Sequence, residues 1–254
     1  FTGCELAGVF YMRDLNDVKQ THKFTGPGKS AVIIGGGYIG LETAASLRKI
    51  GMNVTVIEAM ERVLQRVTAP EVSAFYTRIH TEEGVNIRTE AGVDAIVGDK
   101  HVEGVRLADG TTVNADLVII GVGVIPNIEL AEAAGLTIDN GIAVNEFATT
   151  NDADIVAAGD CTNHYNPIYD RKLRLESSIC GKPEAYNALP WFWSDQYDLK
   201  LQIAGLSQGF DQVVIRGDSE QGRSFAAFYF CEGRLIAVDA INRPKEFMMT
   251  KRAL

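Results

Sequence analysis

Short apolar runs alternate with a segment of helical spacing near the start of the chain. Ala31–Ile34 is a continuous apolar run, a glycine-rich turn and a segment of helical period follow it, and a second apolar run ends in Glu58. Apolar runs of this kind, joined by a helix, are typical of parallel strands that are buried on both faces. Residues 31–58 are therefore predicted to form a complete βαβ unit.

The pattern changes to alternating apolar and polar residues over 91–116. Turn signals at Gly98-Asp99 and Asp109-Gly110 divide this stretch, so it is predicted to be an antiparallel meander. The apolar run Leu117–Ile120 then returns to the parallel sheet. The other elements predicted before residue 161 are a strand over 8–11, a helix around 14–20, a helix over 70–83 that begins with a proline, a parallel strand over 85–88, a strand over 142–144, and a buried strand that follows the loop 149–154 and ends in Gly159-Asp160.

An antiparallel pattern fills the chain from Leu189 onward. Strands are predicted over 201–206, 212–216, 224–230 and 234–241, with a hairpin signal at Glu232-Gly233 between the last two. This region is predicted to be a smaller α+β unit. The fold class is therefore α/β, with a Rossmann-like dinucleotide-binding architecture and a C-terminal α+β domain.

The turn after the first apolar run carries glycines at the spacing that dinucleotide-binding folds use. Gly35 permits a tight exit from the strand, Gly37 lets the backbone approach a pyrophosphate, and Gly40 lets the helix pack closely on the strand. Unpaired N–H groups at the positive end of the helix can then hold the diphosphate. The alternative is a βα turn that has a structural role alone.

Glu58 ends the second strand of this unit, where a carboxylate can accept hydrogen bonds from both ribose hydroxyls of an adenosine. A carboxylate at this position repels a 2′-phosphate, so Glu58 favours NAD(H) over NADP(H). Arg62 and Arg66 follow closely and weaken this prediction, because their positive charge would attract the same phosphate.

Composition is that of an ordinary globular enzyme. The 254 residues are 46% hydrophobic and 22% charged, with a formal net charge of −9. The hydrophobic content argues for a core rather than disorder, and the negative charge argues against nucleic-acid binding. No apolar stretch approaches the length that spans a bilayer, and the first residues do not resemble a signal peptide. A cytoplasmic protein without membrane association is therefore expected.

The cysteines and histidines do not form a recognisable reactive or metal-binding motif. The cysteines are far apart, without a CxxC pair, and are interpreted as reduced thiols packed as small hydrophobic residues. The histidines lie in polar contexts and are interpreted as surface residues. The residues are Cys4, Cys161, Cys180 and Cys231, and His22, His80, His101 and His164.

Several longer motifs resemble the NADH-dependent, FAD-containing ferredoxin reductases of oxygenase and cytochrome P450 systems, the putidaredoxin and rhodocoxin reductase type. These motifs follow the family's order through most of the chain. They are GGGYIGLETAASLRKIGMNVTVIE, APEVSAFY, GVGVIPN, IVAAGDC, RLES, PWFWSDQYDLKLQIAGL, RSFAAFYF and LIAVDAINRP. The resemblance implies an NAD-binding domain over 1–124, a remnant of an FAD-binding domain over 125–189, and a C-terminal α+β domain of dimerisation or interface type over 190–254.

The resemblance also implies roles for single residues. Glu42 matches an acid that orients the nicotinamide end, and Trp193 matches an aromatic residue near the flavin ring, so these two are the implied catalytic residues. Core packing is the alternative for Trp193 and its neighbour Trp191, and a helix N-cap is the alternative for Asp160. The implied cofactor contacts are Gly35, Gly37 and Gly40 at the pyrophosphate, Ile39 near the nicotinamide, Glu58 and Arg66 at the adenosine ribose, Gly123 behind the nucleotide, and Asp160 at the FAD ribityl chain.

The activity that the resemblance implies is electron transfer from NADH through FAD to a [2Fe–2S] ferredoxin or redoxin that serves an oxygenase or a cytochrome P450. The alternatives are another flavoprotein of this architecture, such as an NADH oxidase or an apoptosis-inducing-factor-like protein, and a nucleotide-binding fragment without flavin. The protein is expected to be a monomer or a homodimer. Basic residues near its end, Arg243, Lys245, Lys251 and Arg252, form a rim that could steer an acidic ferredoxin, with solvated surface charge as the alternative.

Two departures from the family concern FAD. The family begins with an FAD-binding βαβ unit that has its own glycine motif, and about one helix of residues separates RLES from the GKP segment, whereas here Leu175 and Gly181 are only a few residues apart. We therefore expect these residues to be part of a longer polypeptide or a truncated product. If they were the whole molecule, tight FAD binding would be doubtful.

Overall fold

Strands and helices alternate through the first part of the chain in the order that the apolar runs predict. The structure is a computed structural model that describes residues 1–166, 171–175 and 188–254, with the backbone alone for 171–175. The end of the RLES motif, the GKP segment and Cys180 lie outside the described residues. The elements are β1 (Val9–Tyr11), α1 (Leu15–Thr21), a 3₁₀ turn (His22–Phe24), β2 (Ser30–Ile34), α2 (Tyr38–Lys49), β3 (Asn53–Ile57), α3 (Pro70–Glu82), β4 (Val85–Arg88), β5 (Val93–Gly98), β6 (Val102–Leu107), β7 (Thr112–Asn114), β8 (Leu117–Ile120), α4 (Glu129–Ala133), β9 (Ile142–Ala143), β10 (Gly159–Asn166), β11 (Arg171–Leu175), β12 (Trp191–Gln196), β13 (Leu199–Gly205), β14 (Gln212–Asp218), β15 (Ser224–Cys231), β16 (Arg234–Ile241) and α5 (Pro244–Ala253).

A five-stranded parallel sheet has the order β1-β8-β2-β3-β4. Its central strands are buried on both faces, which explains their continuous apolar sequence. On β2, Ala31 and Ile33 belong to the core that α2 and α3 cover, whereas Val32 and Ile34 belong to the core on the opposite face. The predicted βαβ unit and the third parallel strand are confirmed.

The opposite face of the parallel sheet is covered by a three-stranded antiparallel meander, β5-β6-β7. Ile96, Val105 and Leu107 of the meander share a core with the parallel strands. The strands alternate because only one of their faces is buried. The predicted meander and both of its turns are confirmed.

The C-terminal residues form a five-stranded antiparallel sheet of order β12-β13-β16-β15-β14. The hairpin between β15 and β16 turns at Glu232 and Gly233, which both have positive φ, as a tight hairpin of this kind requires. Helix α5 buries Phe247 and follows the sheet. The four predicted strands are confirmed, whereas β12 and α5 were not predicted.

Helix α3 joins the parallel sheet to the C-terminal sheet in one compact unit, Phe1–Val122 with Pro190–Leu254. Val72, Phe75 and Ile79 of α3 are buried in a core that includes residues of both sheets. The ring of Phe75 meets that of Phe225 on β15 edge to face, with centroids 4.9 Å apart. The predicted division into three domains, which assigns the parallel sheet and the C-terminal sheet to different domains, remains a prediction.

A buried carboxyl group also links the two sheets. Asp239 on β16 is fully buried, and its Oδ2 accepts hydrogen bonds from Thr68 Oγ1 at 2.7 Å and from the Tyr229 hydroxyl at 2.5 Å. The Tyr229 hydroxyl accepts in turn from the backbone N–H of Ala69, just before α3. Burial raises the pKa of Asp239 to about 6, although both hydroxyl donors act to lower it.

The second compact unit, Gly123–Leu189, contains α4 and a three-stranded sheet of order β11-β10-β9. The prediction of a strand that ends in Gly159-Asp160 is wrong, because a strand, β10, begins at Gly159. The preceding apolar residues make one isolated bridge, Thr149 to Val156, and the Val156 side chain is 45% exposed. Without a paired neighbouring strand the apolar run does not form a ladder. Asp160 lies in a strand, so the N-cap alternative for it is also wrong.

The interpretation of the histidines as surface residues holds for His22 and His101 and is wrong for the other two. His80 and His164 are buried, with 0% and 1% of their surface exposed. His80 lies on the last turn of α3, where its polar sequence neighbours face solvent and its own ring faces the C-terminal sheet. The three described cysteines, Cys4, Cys161 and Cys231, are free thiols of intermediate exposure, so they are less buried than expected.

We predict that Asp239→Asn removes a pH dependence of stability between pH 4 and 7. The folded protein holds the Asp239 proton up to about pH 6, whereas the unfolded chain loses it near pH 4, so the unaltered protein loses stability as pH rises through this window. A rise in pKa from 3.8 to about 6 corresponds to about 3 kcal/mol. The difference in the free energy of unfolding between the variant and the unaltered chain should therefore shift in favour of the variant by about 2.5 kcal/mol from pH 4 to pH 7, because the unfolded chain has already lost part of the proton at pH 4.

Urea titration followed by circular dichroism at each pH measures this difference. Asp99→Asn is the matched control, because Asp99 is exposed in the turn after β5 and its substitution should leave the pH profile unchanged. A difference between Asp239→Asn and the unaltered chain that is constant from pH 4 to 7 would contradict the prediction.

Candidate nucleotide-binding site

Two neighbouring parallel strands, β2 and β8, end side by side at one edge of the sheet. From β2 the chain continues to one side of the sheet through β3 and β4, while β1 lies beyond β8 on the other side. The carboxyl ends of such strands, where the strand order changes direction, are where open α/β sheets bind ligands. Gly35 follows β2 and Gly121 follows β8, so both strand ends carry a glycine at this edge.

Two of the three turn glycines are required by close packing. Gly35 has φ +111°, and a Cβ on it would lie 2.3 Å from the carbonyl oxygen of Gly121. A Cβ on Gly40 would lie 2.0 Å from the carbonyl oxygen of Gly35. These contacts hold the first turn of α2 against the strand ends, so Gly35 and Gly40 would be needed with or without a ligand.

Gly37 differs, because the fold itself does not require a glycine there. Its φ is −79°, an ordinary value for any residue, and a Cβ on it would meet no atom within 4 Å. Gly37 is the N-cap of α2 and supplies no side-chain cap, so the first amides of the helix remain available for another acceptor. The open space lies in front of a helix N-terminus, where an anion is favoured.

Glu58 is fixed beside this turn by two backbone donors. Its Oε2 accepts from the N–H of Gly36 at 2.7 Å, and its Oε1 accepts from the N–H of Met60 at 2.8 Å. Each carboxylate oxygen can accept a further hydrogen bond. The structure thus brings Glu58 to the glycine turn, as the sequence predicts for a group that binds ribose hydroxyls.

The two arginines of the loop after β3 have different environments. The Arg62 guanidinium is bound within the loop, since it donates to the carbonyl oxygen of Thr68 at 2.9 Å and to Ser73 Oγ at 2.5 Å. Arg66 is exposed, and no ion pair of it is found among residues 1–166 and 188–254. The Arg62 guanidinium keeps its charge, but its donors are used within the loop, so Arg66 is the arginine of this loop that is available to a ligand.

The first turns of α2 carry the two remaining residues that the sequence assigns to the nicotinamide end. Ile39 is 45% exposed, and Val122, just after Gly121, is 56% exposed. Glu42 is half-buried, and its Oε1 accepts a hydrogen bond from Ser194 Oγ on β12 at 2.5 Å. An exposed apolar surface and a carboxylate thus follow the glycine turn along one helix.

Trp193 lies on the surface of β12 and is 57% exposed, which rules out the core alternative for it and for Trp191, at 48%. Their rings stack with centroids 5.3 Å apart. The Lys251 ammonium lies 4.4 Å from the Trp191 ring centroid, so this charge forms a cation–π contact in addition to facing solvent.

The structure places Gly123 and Asp160 in the second compact unit. Gly123 is exposed with φ +134°, a conformation that favours glycine. Asp160 is exposed at the start of β10. The remaining predicted residues, Gly35, Gly37, Ile39, Gly40, Glu42, Glu58, Arg66 and Trp193, all lie in the first unit.

Sequence reasoning missed the buried polar residues behind Glu42. Ser194 and Gln196 are both 1% exposed, and they alternate with the exposed Trp193 and Asp195 on β12. The alternation in WFWSDQ was a signal for a strand with a polar buried face, but a sequence does not show which helix that face meets. Among the described residues, no group of three or more His, Cys, Asp or Glu residues is arranged to hold a metal ion. The described residues also include no helix that is long and apolar enough to cross a membrane.

Comparison with known proteins agrees with this geometry. Residues 2–181 match the model of the family described as pyridine nucleotide-disulphide oxidoreductase, and residues 191–254 match a model described as reductase C-terminal. Putidaredoxin reductase from Pseudomonas putida is 45% identical over 260 aligned positions, which cover 96% of this chain and 61% of the relative. Rhodocoxin reductase from Rhodococcus erythropolis is 40% identical, with coverage of 99% and 62%. The chain thus spans less than two thirds of the length of these relatives.

Solved structures show the same fold. The covalent putidaredoxin reductase–putidaredoxin complex superposes on 98% of this chain with a TM-score of 0.91 and 44% identity, and the match covers 63% of the solved chain. A ferredoxin reductase from Rhodopseudomonas palustris gives a TM-score of 0.93 with 39% identity, covering 98% of this chain and 65% of the solved one. The predicted fold class and family resemblance are confirmed: the chain belongs to the pyridine nucleotide-disulphide oxidoreductase family and resembles ferredoxin reductases throughout its length.

Proposed function

We propose that this chain is the NADH-binding part of an NADH-dependent ferredoxin reductase, a flavoprotein that passes electrons from NADH through FAD to a [2Fe–2S] ferredoxin. The ferredoxin would serve an oxygenase or a cytochrome P450. The observation that carries the proposal is the open space in front of Gly37 at the N-terminus of α2, with Glu58 fixed beside it. Family membership and the names of the relatives support the rest.

In this proposal the two ends of the nucleotide have separate binding groups. The pyrophosphate lies against Gly37 and accepts hydrogen bonds from the first amides of α2. Glu58 and Arg66 contact the adenosine ribose, where the negative charge of Glu58 disfavours a 2′-phosphate. Ile39 and Glu42 lie toward the nicotinamide, with Glu42 oriented by Ser194. The chain needs no acid or base, since it binds and orients the two reacting rings.

The chemistry that FAD supplies when bound is acceptance of a hydride and release of electrons one at a time. Asp160 is our candidate for the ribityl chain and Trp193 for the flavin ring, because both side chains are exposed. The described residues contain one glycine-rich strand–turn–helix, which we assign to NADH. Binding the adenine half of FAD therefore requires residues other than the described ones.

A nucleotide-binding protein without flavin is the second candidate, and the single glycine-rich turn favours it. The absorption spectrum of the purified protein separates the two, since bound flavin absorbs blue and near-ultraviolet light. We also propose a cytoplasmic location, which the free thiols of Cys4, Cys161 and Cys231 support.

Gly37→Val should abolish NADH binding and leave the fold intact. The valine side chain would enter the open space where the pyrophosphate is proposed to lie, and no atom of the described chain is close enough to clash with the added Cβ. Titration calorimetry measures binding, and circular dichroism measures the fold.

The control for this variant is Gly26→Val, because a Cβ on Gly26 would meet only the Lys29 side chain, at 3.7 Å. It should bind NADH like the unaltered chain. Normal NADH affinity in a folded Gly37→Val variant would show that Gly37 is only a turn residue.

Glu58→Gln should reduce the preference for NADH over NADPH. The amide oxygen can still accept from the Gly36 N–H, whereas the bond from the Met60 N–H is lost, and the charge that repels the 2′-phosphate is removed. We expect the ratio of the two dissociation constants to fall about 10-fold, equivalent to about 1.4 kcal/mol.

Glu61→Ala is the matched control for this ratio, since Glu61 is exposed in the same loop. The ratio should not change in the control. Equal or tighter binding of NADPH by the unaltered chain would contradict the assignment of Glu58.

Reversing the charges of Lys251 and Arg252 to Glu, in the complete flavin-loaded protein, should slow reduction of the [2Fe–2S] partner. The reason is that Lys251, which lies over the Trp191 ring that stacks on Trp193, and its sequence neighbour Arg252 would steer an acidic ferredoxin toward Trp193. Reduction of ferricyanide, a small acceptor, should be nearly unchanged. The effect should fade as salt shortens the Debye length below about 8 Å.

The double variant Lys19→Glu, Lys100→Glu is the control, because it makes the same change of charge at two exposed positions elsewhere. It should not slow reduction of the [2Fe–2S] partner. If reduction of both acceptors slows equally, or if salt does not change the effect, the ferredoxin docks elsewhere.

A further inference from the structure

A continuous chain of hydrogen bonds runs from the surface of the C-terminal sheet to Glu42. The Tyr197 hydroxyl lies 3.1 Å from His80 Nδ1, and His80 Nε2 lies 2.7 Å from Gln196 Oε1. Gln196 Nε2 donates to Ser194 Oγ at 3.0 Å, and Ser194 Oγ donates to Glu42 Oε1 at 2.5 Å. The three middle residues are no more than 1% exposed, so water cannot substitute for these bonds.

The chemistry of Glu42, the last residue, sets the direction of each hydrogen bond between His80 and Glu42. A carboxylate can only accept, so the single hydroxyl proton of Ser194 points at Glu42. Ser194 Oγ must then accept, which requires the NH₂ of Gln196 on that side and its carbonyl oxygen toward His80. His80 must therefore donate from Nε2, and in the neutral ring Nδ1 then accepts from the Tyr197 hydroxyl.

The environment of His80 favours the neutral ring, in which Nε2 carries the proton and Nδ1 is an acceptor. Burial lowers the pKa of His80, and the hydrogen bond to Gln196 and the charge of Glu83 offset this effect in part. A protonated ring would donate from both nitrogens and could not accept from Tyr197. At pH 7 the neutral Nε2–H form completes the chain without conflict.

The chain of hydrogen bonds restricts one carboxylate oxygen of Glu42 and leaves the other available to a ligand. Ser194 binds Oε1, and Oε2 has no hydrogen-bond partner among the residues that the structure describes. An unrestrained glutamate would lose rotamer freedom when it bound a ligand, which costs conformational entropy. A glutamate already held by Ser194 presents Oε2 in one orientation with much of that cost removed.

We propose that His80 is a positioning residue, which acts through Gln196 and Ser194 to hold the free oxygen of Glu42 toward the carboxamide of a bound nicotinamide. His80 itself is buried on α3 and touches no part of the proposed nucleotide site. The inference rests on the proposed function for the nucleotide, in which Ser194 orients Glu42, and it assigns to this site two further residues, His80 and Gln196, that carry no role in it otherwise.

A comparison of NADH with ADP-ribose tests the proposal, because ADP-ribose occupies the same turn and ribose site but lacks the nicotinamide. His80→Phe and Ser194→Ala each break the chain, and Ser194→Ala removes only one oxygen from the core. Both should weaken NADH binding about 10-fold, as expected for loss of one oriented hydrogen bond to a charged group, and change ADP-ribose binding less than about 2-fold.

Two further variants separate positioning from general stability. His80→Gln offers an NH₂ donor to Gln196 and should restore most of the NADH affinity that His80→Phe loses. Tyr76→Phe is the matched control, because Tyr76 is buried on the same helix and its hydroxyl has no hydrogen-bond partner among the described residues. It should leave both affinities unchanged.

The outcomes are distinct. Selective loss of NADH affinity with rescue by His80→Gln supports the proposal. Equal weakening of both ligands, or no weakening of either, overturns it and leaves His80 as a structural residue. If the unaltered chain binds neither ligand, the proposed nucleotide function itself fails.

Nitrogen-15 NMR of the His80 ring tests the hydrogen-bond chain without any nucleotide. At pH 7 the spectrum should show a protonated Nε2 and an unprotonated Nδ1, and this pattern should be lost in Gln196→Met. The opposite tautomer, with the proton on Nδ1 and none on Nε2, would overturn the proposal even if NADH binds.

Discussion

The burial of helix α3 between two sheets is the constraint on which the rest of the first unit depends. A helix of thirteen residues has buried side chains on more than one face here, among them Val72, Tyr76 and His80. One group of them completes the core of the parallel sheet, and Phe75 packs on Phe225 of the C-terminal sheet. Without this helix, part of the inner face of each sheet would be exposed to solvent. Replacing such a ring with alanine typically costs about 3–5 kcal/mol, a large part of a domain's stability.

The polar groups at the two ends of α3 follow from the same packing. Just before the helix, the Thr68 hydroxyl donates to the buried Asp239, and the Ala69 N–H donates to the Tyr229 hydroxyl, which itself binds Asp239. Near the end of the helix, His80 forms a hydrogen bond with Gln196 on β12. Buried polar groups are costly unless they are paired, so these contacts specify how the helix and the C-terminal sheet meet. The apolar contacts alone would tolerate small shifts between the two.

Strand β12 connects this packing to the proposed chemistry. Successive side chains of a strand point to opposite faces, so Ser194 faces inward toward Glu42 while Trp193 faces outward. One face of β12 therefore carries Ser194, which orients Glu42 for the proposed nicotinamide contact. The opposite face carries Trp193, the candidate for the flavin ring. A change in the register of β12 by one residue would exchange these faces and disrupt both.

The sequence by itself determined the βαβ unit, the meander, the C-terminal strands and the position of Glu58 beside the glycine turn, because each depends on local periodicity and on a motif of fixed spacing. The sequence did not show which glycines of the turn are required by packing and which by a ligand. Only the tertiary structure shows that Gly35 and Gly40 are needed for contacts with neighbouring backbone, whereas Gly37 faces open space. The false strand before Gly159 has the same origin, since an apolar run forms a strand only where a neighbour pairs with it.

The sequence also could not place the buried histidine. His80 and Gln196 are 116 positions apart, and a polar residue on the last turn of a helix looks solvent-exposed until the sheet that covers it is known. Long-range contacts of this kind depend on how elements pack and not on the order of residues along the chain. The tertiary structure therefore decided which polar residues support Glu42, because packing alone brought α2, α3 and β12 together.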